Sequence, residues 1–291
     1  MGVFTSHMRC IMQLFAFNLH NQLVAAVHAE KHCDYICLEC QKAVRLRGGR
    51  HRQKHYYHLQ INQACSLHRK SMEHIQVQTY LYHLLPENDC VLECPFPTVS
   101  RIADVVWKSK KLIFEVQCSP ITQEEVQNRC QDYRSCGYEI IWILHEKTFN
   151  RWKLCAAEVF LQDQTHYFTN MNKEGKGMIY DCYASIERGV RKKRMKPVEV
   201  QLNLPTLLNE SGKNLPQFLK KRLETWHLHF EGDLVTRFFN QAYDFQEIIS
   251  IEQKNETKPL TWIQAAKYAL YFCIMRPYRL VFQLFLEKHS N

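Results

Sequence analysis

The sequence lacks a hydrophobic segment long enough to cross a bilayer. The longest apolar run near the end, residues 265–275, contains Lys267 and is followed by Arg276 and Pro277, whereas a membrane-spanning helix needs about 20 apolar residues. The apolar stretch 11–17 is followed at once by polar residues, which is not typical of a secretory signal peptide. We therefore expect a soluble, cytoplasmic protein.

The sequence also lacks a disulfide framework, an internal repeat and a low-complexity tract. Its 13 cysteines are an odd number and form no regular array. We expect them to be reduced, some as metal ligands and most as small buried hydrophobic residues. With 291 residues, of which 46% are hydrophobic and 23% charged, the chain is long enough for two domains and a small third unit.

Acidic residues are fewer than basic ones. The 38 Lys and Arg residues exceed the 29 Asp and Glu residues, which gives a formal net charge of +9 and a pI of about 8.9. This excess suits a polyanionic partner such as nucleic acid. Many basic proteins bind no polyanion, so the charge favours such a partner without establishing it.

We expect an α/β (α+β) fold that is organised in three zones. Residues 12–66 combine short apolar pieces with clustered Cys, His and basic residues, and residues 67–150 are α/β. Residues 151–291 are predicted to be mainly helical, with an exposed basic linker at 188–197. The predicted elements of the middle zone are a helix over 71–85, strands over 90–94, 101–107 and 111–118, a helix over 123–135 and a strand over 139–144.

A Cys/His cluster dominates the first zone. Cys37 and Cys40 form a C-x2-C pair, and His58 and Cys65 follow at a spacing that resembles finger and ribbon sites. These four residues predict a tetrahedral, structural zinc in a zinc-ribbon-like N-terminal domain. His55 with His58 is the alternative second pair. In the other interpretation, the two first cysteines are core residues and the histidines lie on the surface.

Basic and aromatic residues lie between and beside these ligands. Arginine beside tyrosine suits phosphate contact and base stacking, and a solvated hairpin surface is the alternative. The candidate nucleic-acid-binding residues of this segment are Arg45, Arg47, Arg50 and Arg52.

Two apolar strands of the middle zone each carry an acidic residue near a turn within residues 108–111. If Ser109 and Lys110 form the turn, opposed residue numbers add up to 219, and Asp104 directly opposes Glu115. Opposed carboxylates have Cβ atoms about 5 Å apart and repel each other. A bound Mg²⁺ would relieve this repulsion, since Mg²⁺ prefers oxygen ligands. The alternative is a sheet edge where both acids contact Arg or Lys.

Strand alternation assigns these side chains to faces of the sheet. Asp104 is predicted to share a face with Val106, whereas Glu115 and Gln117 share a face with Ile113. Both strands are largely apolar, so we expect the sheet to be covered on both sides.

A capped helix and a buried strand follow the hairpin. Thr122 and Glu125 form a T-x-x-E capping box, and Arg129 and Tyr133 lie one turn apart on the helix that it starts. This order of elements resembles the active-site core of the PD-(D/E)xK nuclease superfamily. More narrowly, residues 12–150 resemble the competence protein CoiA family. The matching stretches are 35–40, 55–58, Cys65, the helix bearing His74, 101–104, 114–119, Arg129, Tyr133 and 141–144.

This resemblance implies a nuclease-like domain behind a small Cys/His domain. It also implies a role in natural transformation and DNA recombination, in which incoming single-stranded DNA is processed. Asp104 and Glu115, with the Val116 carbonyl, would hold Mg²⁺ or Mn²⁺, and Gln117 would position a water. The candidate site residues are then Asp104, Glu115, Gln117, His74 and Glu73 for catalysis, and Arg129 and Tyr133 for nucleic-acid binding.

The chain departs from the expected motifs at three positions. The superfamily usually has Lys where this chain has Gln117, although CoiA-like proteins also carry Gln there. The family tends to have an acid three residues before its His and a Lys four after it, and here those positions hold Ser71 and Gln78. A non-catalytic adaptor that passes single-stranded DNA to a recombinase is therefore the alternative function. A third hypothesis is an interaction factor whose C-terminal half docks a recombinase.

Overall fold

The computed structural model describes residues 13–49, 52–60, 65, 70–206, 215–241 and 245–256. The chain forms two compact units, residues 1–244 and 245–291. No helix in the described ranges is both long and apolar enough to span a membrane. The apolar run 265–275 lies outside these ranges.

The first unit begins with a five-stranded antiparallel sheet. Its strands are β1 (Phe15–Phe17), β2 (Leu23–Ala25), β3 (Asp34–Ile36), β4 (Ala43–Gly49) and β5 (Arg52–His58). They are arranged in the order β2-β1-β3-β4-β5. A small core fills one side, in which the rings of Tyr35 and Tyr56 pack with centroids 4.9 Å apart. This sheet carries the residues of the predicted zinc site.

A seven-stranded mixed sheet follows. Its strands are β6 (Cys90–Phe96), β7 (Arg101–Trp107), β8 (Leu112–Gln117), β9 (Glu139–His145), β10 (His166–Thr169), β11 (Ile179–Asp181) and β14 (Val198–Glu199). The order across the sheet is β14-β11-β10-β9-β8-β7-β6. The three central strands β8, β9 and β10 run parallel. Central parallel strands are buried on both faces, which accounts for the continuous apolar sequences of β8 and β9.

Two helices cover opposite faces of this sheet. On one face, α1 (Met72–Leu84) packs Ile75 and Leu81 against β7 and β8. On the other face, α2 (Gln123–Ser135) packs Val126 and Cys130 against β8 and β9. The predicted helix and strand boundaries of the middle zone agree with the structure to within two residues.

The predicted register of the β7–β8 hairpin is confirmed. Residue numbers add up to 219 in the paired residues, as in Val105 with Phe114 and Trp107 with Leu112. The pairing ends at Val105, one pair before Asp104 and Glu115. It ends there because the Asp104 carboxylate, rather than a backbone carbonyl, accepts the N–H of Val116 at 2.9 Å.

Side-chain caps fix the start of both helices. Ser71 accepts the His74 N–H at 3.3 Å, and Thr122 accepts the Glu125 N–H at 3.1 Å. The predicted T-x-x-E box is therefore half formed, because the Glu125 carboxylate accepts hydrogen bonds from Arg101 and Arg129 instead of the cap backbone. Each cap contributes about 1 kcal/mol to helix stability.

The prediction of a mainly helical region beyond residue 150 is wrong for residues 151–206. This stretch contains one short helix, α3 (Ala156–Leu161), and β10, β11 and β14 complete the mixed sheet. These strands have two to four residues each, too short for an alternating pattern to be visible in the sequence. Pairing with β9 stabilises them, and local periodicity does not report that pairing.

The remaining described elements are small. β15 (Gln201–Thr206) pairs with β16 (His229–Glu231), and α4 (Gln217–Thr225) and α5 (Leu234–Phe239) flank β16 in the chain. The second unit is described only by its helix α6 (Gln246–Glu256).

The predicted basic linker at 188–197 is instead a β-hairpin over most of its length. β12 (Ala184–Glu187) and β13 (Val190–Arg194) pair antiparallel around a two-residue turn. The φ angles of Arg188 and Gly189 in this turn are +54° and +73°. Two positive φ angles are the geometry of tight hairpin turns, which usually have Asn-Gly or Asp-Gly. Arg-Gly satisfies the same geometry without the usual sequence signal.

This turn yields a stability prediction. Gly189→Ala is expected to lower the free energy of unfolding by about 1 kcal/mol, because an L side chain is strained at positive φ. Gly49→Ala is the matched control, since its backbone is not left-handed and an added Cβ meets nothing within 4 Å. Urea denaturation measures both, and equal losses in the two variants would refute the strained turn.

Candidate functional site

The structure brings the predicted zinc ligands together. The turn between β3 and β4 carries Cys37 and Cys40, β5 ends at His58, and Cys65 follows. The four ligand atoms lie within 4.8 Å of one another, and no other such group of three or more His, Cys, Asp or Glu ligands occurs in the described ranges. His55, the alternative ligand, is buried outside this group.

The geometry of this Cys/His cluster fits one tetrahedral metal ion such as zinc. The sulfur atoms of Cys37 and Cys65 are 3.7 Å apart, and Cys40 Sγ lies 3.2 Å from His58 Nε2. Two thiolates that share a zinc at about 2.3 Å each are separated by about 3.8 Å, whereas disulfide sulfurs are about 2.0 Å apart. The four residues can therefore hold zinc with no open position for a substrate.

A second cluster surrounds Asp104, which is only 4% exposed. Its Oδ1 accepts hydrogen bonds from Lys70 Nζ at 2.9 Å and from His74 Nε2 at 3.1 Å. Gln78 Nε2 also donates to Oδ1, at 2.9 Å, and the Val116 N–H donates to Oδ2. Burial opposes ionisation, but the charges and hydrogen bonds of His74 and Lys70 outweigh it and hold the pKa of Asp104 well below its usual range. Asp104 is therefore an anion.

Glu115 is hydrogen-bonded to α2, the helix on the opposite face of the sheet from α1. Its Oε2 accepts from Arg129 Nη1 at 2.7 Å, and its Oε1 accepts from the Tyr133 hydroxyl at 2.8 Å. Burial raises the pKa of Glu115; the cation of Arg129 opposes this rise, and the negative charge of Asp104 adds to it. The negative charge of Asp104 thus acts on Glu115, although the backbone pairing of the two strands ends at Val105 and Phe114.

The predicted face of Asp104 is wrong. Ala103 and Val106 pack on the α2 side of the sheet, but Val105 packs on the α1 side, so the alternation is broken between residues 103 and 105. Glu93, on the neighbouring strand β6, has a left-handed φ of +49° at this level. Beside this irregularity, Asp104 lies toward α1, where it contacts His74 instead of sharing a face with Val106.

Lys70 and Glu93 also belong to the cluster, although the sequence motifs include neither of them. Lys70 Nζ bridges Asp104 Oδ1 and Glu93 Oε1, the latter at 3.0 Å, and both Lys70 and Glu93 are less than 10% exposed. The Glu93 carboxylate also accepts the N–H groups of Leu14 and Phe15 at 3.0 to 3.2 Å. The N-terminal sheet therefore contacts the cluster directly. A lone acid in the apolar strand β6 was the available signal, since buried charges need partners.

The other predicted catalytic residues lie beside the cluster. Glu73 is the neighbour of His74 on α1, but its Oε1 lies 3.3 Å from Lys147 Nζ. Gln117 is 9% exposed, and its Nε2 donates to the carbonyl of Ser119 at 2.6 Å. Neither side chain has a hydrogen bond with Asp104 or Glu115 in the described structure.

The predicted nucleic-acid-binding residues are in different environments. Arg45 and Arg47 are exposed on β4, and Arg45 pairs with the exposed Asp34. Arg50 and the side chain of Arg52 lie outside the described residues. Arg129 and Tyr133 lie on α2, where Arg129 donates a hydrogen bond to Glu115. Tyr133 is 0% exposed, so its ring offers no face to a base and does not fit the predicted role.

The donor chemistry of Asp104 and Glu115 fits a divalent cation. Each carboxylate oxygen has about two lone-pair sites. Each oxygen of Glu115 accepts one hydrogen bond, whereas Asp104 Oδ1 accepts three and Oδ2 accepts one. A lone-pair site therefore remains for a metal on each Glu115 oxygen and on Asp104 Oδ2. A cation would also remove the mutual repulsion that raises the pKa of Glu115. Lys70 and Arg129 provide that compensation in the present arrangement, so a metal would compete with their charges.

One comparison with known proteins finds a match within the first unit. Residues 70–201 match the family model described as "Competence protein CoiA, nuclease-like domain". The matched range includes Lys70, Asp104 and Glu115 and leaves out the Cys/His cluster. Searches of curated proteins and of solved structures return no match.

Proposed function

Because residues 70–201 match the nuclease-like domain of the CoiA family, we propose that this chain is a CoiA-like, metal-dependent nuclease that processes DNA during natural transformation and recombination. The observation that carries the proposal is the buried pair of Asp104 and Glu115, held by opposite helices and near enough to repel. Pairs of carboxylates that would repel without a cation are typical of Mg²⁺ sites that act on phosphates.

Asp104 and Glu115 would hold Mg²⁺ or Mn²⁺, with the Val116 carbonyl as a further oxygen. The bound metal would supply a water of lowered pKa and stabilise negative charge on the phosphate. The chain's own residues prepare this arrangement. His74 and Gln78 orient Asp104, and Arg129 and Tyr133 orient Glu115 by the hydrogen bonds described above.

Gln117 sets a limit on this chemistry. As a neutral amide, it can orient a water through a hydrogen bond, but it brings no positive charge to the scissile phosphate. Its amide nitrogen is bonded to Ser119, so a water-positioning role uses the carbonyl oxygen of the side chain. His74, 3.1 Å from Asp104, and Glu73 would assist proton transfer from α1.

The first test is DNA cleavage. Labelled single- and double-stranded DNA is incubated with the protein and Mg²⁺ or Mn²⁺, and Asp104→Asn and Glu115→Gln are each expected to reduce the cleavage rate at least about 100-fold. Glu124→Gln is the matched control, because Glu124 is exposed in the first turn of α2. Cleavage that persists in both site variants would refute the assignment.

A specific observation favours a second function, that of a non-catalytic adaptor. Asp104 already accepts four hydrogen bonds, and Gln117 replaces the usual lysine. In this alternative, the cluster stabilises the fold, and the protein passes single-stranded DNA to a recombinase. DNA binding without cleavage in either metal is the result that favours the adaptor.

For the N-terminal sheet we propose a structural zinc at the Cys/His cluster. All four ligands come from the protein, which is typical of structural rather than catalytic zinc. Arg45 and Arg47 on β4 would contact the DNA backbone without recognising its sequence.

A further inference from the structure

Trp152 differs from the other tryptophans that the structure describes. Trp152 is 62% exposed, whereas Trp107, Trp142 and Trp226 are each at most 4% exposed. An indole is a large apolar group, and full solvation of its ring is unfavourable. An exposed indole in a defined backbone position is therefore available to stack on a ligand.

The backbone around Trp152 is fixed against the basic hairpin. The Arg191 N–H donates to the Trp152 carbonyl at 2.8 Å, and the Leu154 N–H donates to the Gly189 carbonyl at 2.9 Å. Lys153 forms an antiparallel bridge with Val190. Residues 152–154 thus lie beside β13 and are joined to the hairpin by one bridge and two backbone hydrogen bonds.

A buried arginine anchors this hairpin and residues 152–154 to the core. Arg191 is 2% exposed, pairs with the buried Glu158, and donates from Nη1 to the Arg151 carbonyl at 2.6 Å. Arg194 donates to the carbonyl of Asn150. The surface is consequently held by several backbone and side-chain bonds, so its exposed groups have defined positions.

The exposed charged residues of segment 151–153 and of the β12–β13 hairpin are mainly cations. The exposed basic residues of this surface are Arg151, Lys153, Arg188, Lys192, Lys193 and Arg194, and Glu187 is the exposed acidic residue of the same hairpin. Cations around an aromatic ring are the combination that binds single-stranded nucleic acid, because phosphates contact the cations and bases stack on the ring.

The residues just before Trp152 in the chain contact residues next to the Asp104 cluster. Thr148 Oγ1 donates to the Cys118 carbonyl at 2.7 Å, directly after Gln117. Lys147 pairs with Glu73, the neighbour of His74. Residues 147–152 therefore connect the border of the candidate nuclease site to the exposed indole.

We propose that Trp152 and the exposed cations of β13 form a binding surface for single-stranded nucleic acid, which guides the strand to the Asp104 cluster. Trp152 stacks on an unpaired base, and Lys192 and Lys193 contact phosphates. A single strand is favoured over a duplex because the bases of a duplex are stacked on each other and present no free face. The guiding role rests on the proposed nuclease function, whereas binding does not.

The test measures binding by the full chain without added Mg²⁺ or Mn²⁺, using the fluorescence anisotropy of labelled oligo(dT) of about 20 nucleotides. Trp152→Ala is expected to weaken binding about 5- to 100-fold, because one stacked base is lost. The same variant should bind an abasic oligonucleotide of equal length as the wild type does, since that probe offers no base to stack.

The double variant Lys192→Gln/Lys193→Gln is expected to weaken binding of both probes and to reduce the slope of log K against log salt by about 1.4. Lys108→Gln/Lys110→Gln, at the exposed β7–β8 turn, is the matched control and should bind as the wild type does. Wild-type binding by both Trp152→Ala and the 192/193 variant would overturn the proposal. So would a loss in these variants of binding to phosphatidylserine vesicles but not to oligo(dT).

The two proposals fail separately. Weaker oligo(dT) binding by Trp152→Ala without cleavage by any variant would support the binding surface and reject the nuclease. Cleavage by the wild type with unchanged oligo(dT) binding by Trp152→Ala would reject the surface and retain the nuclease.

Discussion

Cys40→Ser is expected to release the metal from the Cys/His cluster and to unfold the N-terminal sheet. Structural zinc contributes about 10–16 kcal/mol in small zinc-binding peptides, which is comparable with the whole stability of a domain, about 5–15 kcal/mol. The core of this sheet is small, so little else can replace the metal. Metal analysis should find one zinc per wild-type chain and none in this variant.

Cys33→Ser is the matched control for the zinc prediction. Cys33 precedes β3 and is exposed, outside the group of four ligands. We expect this variant to keep its zinc and its melting temperature. Hydrogen exchange localises the effect, because β3, β4 and β5 should lose protection only in Cys40→Ser. Purified wild-type protein without zinc, or equal melting of the two variants, would contradict the structural role.

Lys70→Met is expected to lower the free energy of unfolding by about 3–5 kcal/mol. Lys70 is buried and bridges Asp104 and Glu93, so its loss leaves two buried carboxylates without their shared cation. Because Glu93 also holds the backbone of Leu14 and Phe15, this variant should also loosen the contact of the N-terminal sheet.

Lys147→Met is the control for the charge at position 70. Lys147 pairs with Glu73, but its side chain is 66% exposed, and exposed pairs contribute about 0–1 kcal/mol. Chemical denaturation compares the two variants. A loss at position 70 no larger than that at position 147 would mean that the buried bridge does not stabilise the fold.

The middle zone could be predicted because its signals are local. The apolar sequences of β8 and β9, the cap at Thr122 and the short β7–β8 turn each depend on neighbouring residues. The pairing of β7 with β8, in which opposed residue numbers add up to 219, could be predicted from the position of that turn alone. The cluster of Cys37, Cys40, His58 and Cys65 was also readable, because C-x2-C spacing follows from the geometry of the metal.

Features that depend on distant parts of the chain could not be predicted in this way. Lys70 and Glu93 are 23 residues apart and meet only in the fold. The broken alternation at Asp104 arises beside the left-handed Glu93 on another strand. β10, β11 and β14 are stabilised by pairing across the sheet, and the β12–β13 turn has Arg-Gly in place of a usual turn pair. In each case a tertiary contact outweighs a weak local signal.

The balance of charge around Asp104 links these features to the proposed function. Burial raises the pKa of Glu115, and Asp104 adds to this effect, while Lys70 and Arg129 compensate the two carboxylates. A divalent cation held by the two carboxylates would take over part of that compensation. The cluster is thus a candidate metal site within residues 70–201, which match the nuclease-like domain of the CoiA family. The N-terminal sheet that precedes them can hold a metal such as zinc.

Direct Mn²⁺ binding tests the central claim, which is that Asp104 and Glu115 hold one divalent cation. Electron paramagnetic resonance would count Mn²⁺ bound to zinc-loaded protein for the wild type, the Asp104→Asn/Glu115→Gln variant and the Glu124→Gln control. We predict one bound Mn²⁺ for the wild type and for the control, and none for the double variant. Equal Mn²⁺ binding by the double variant and the wild type would contradict the claim.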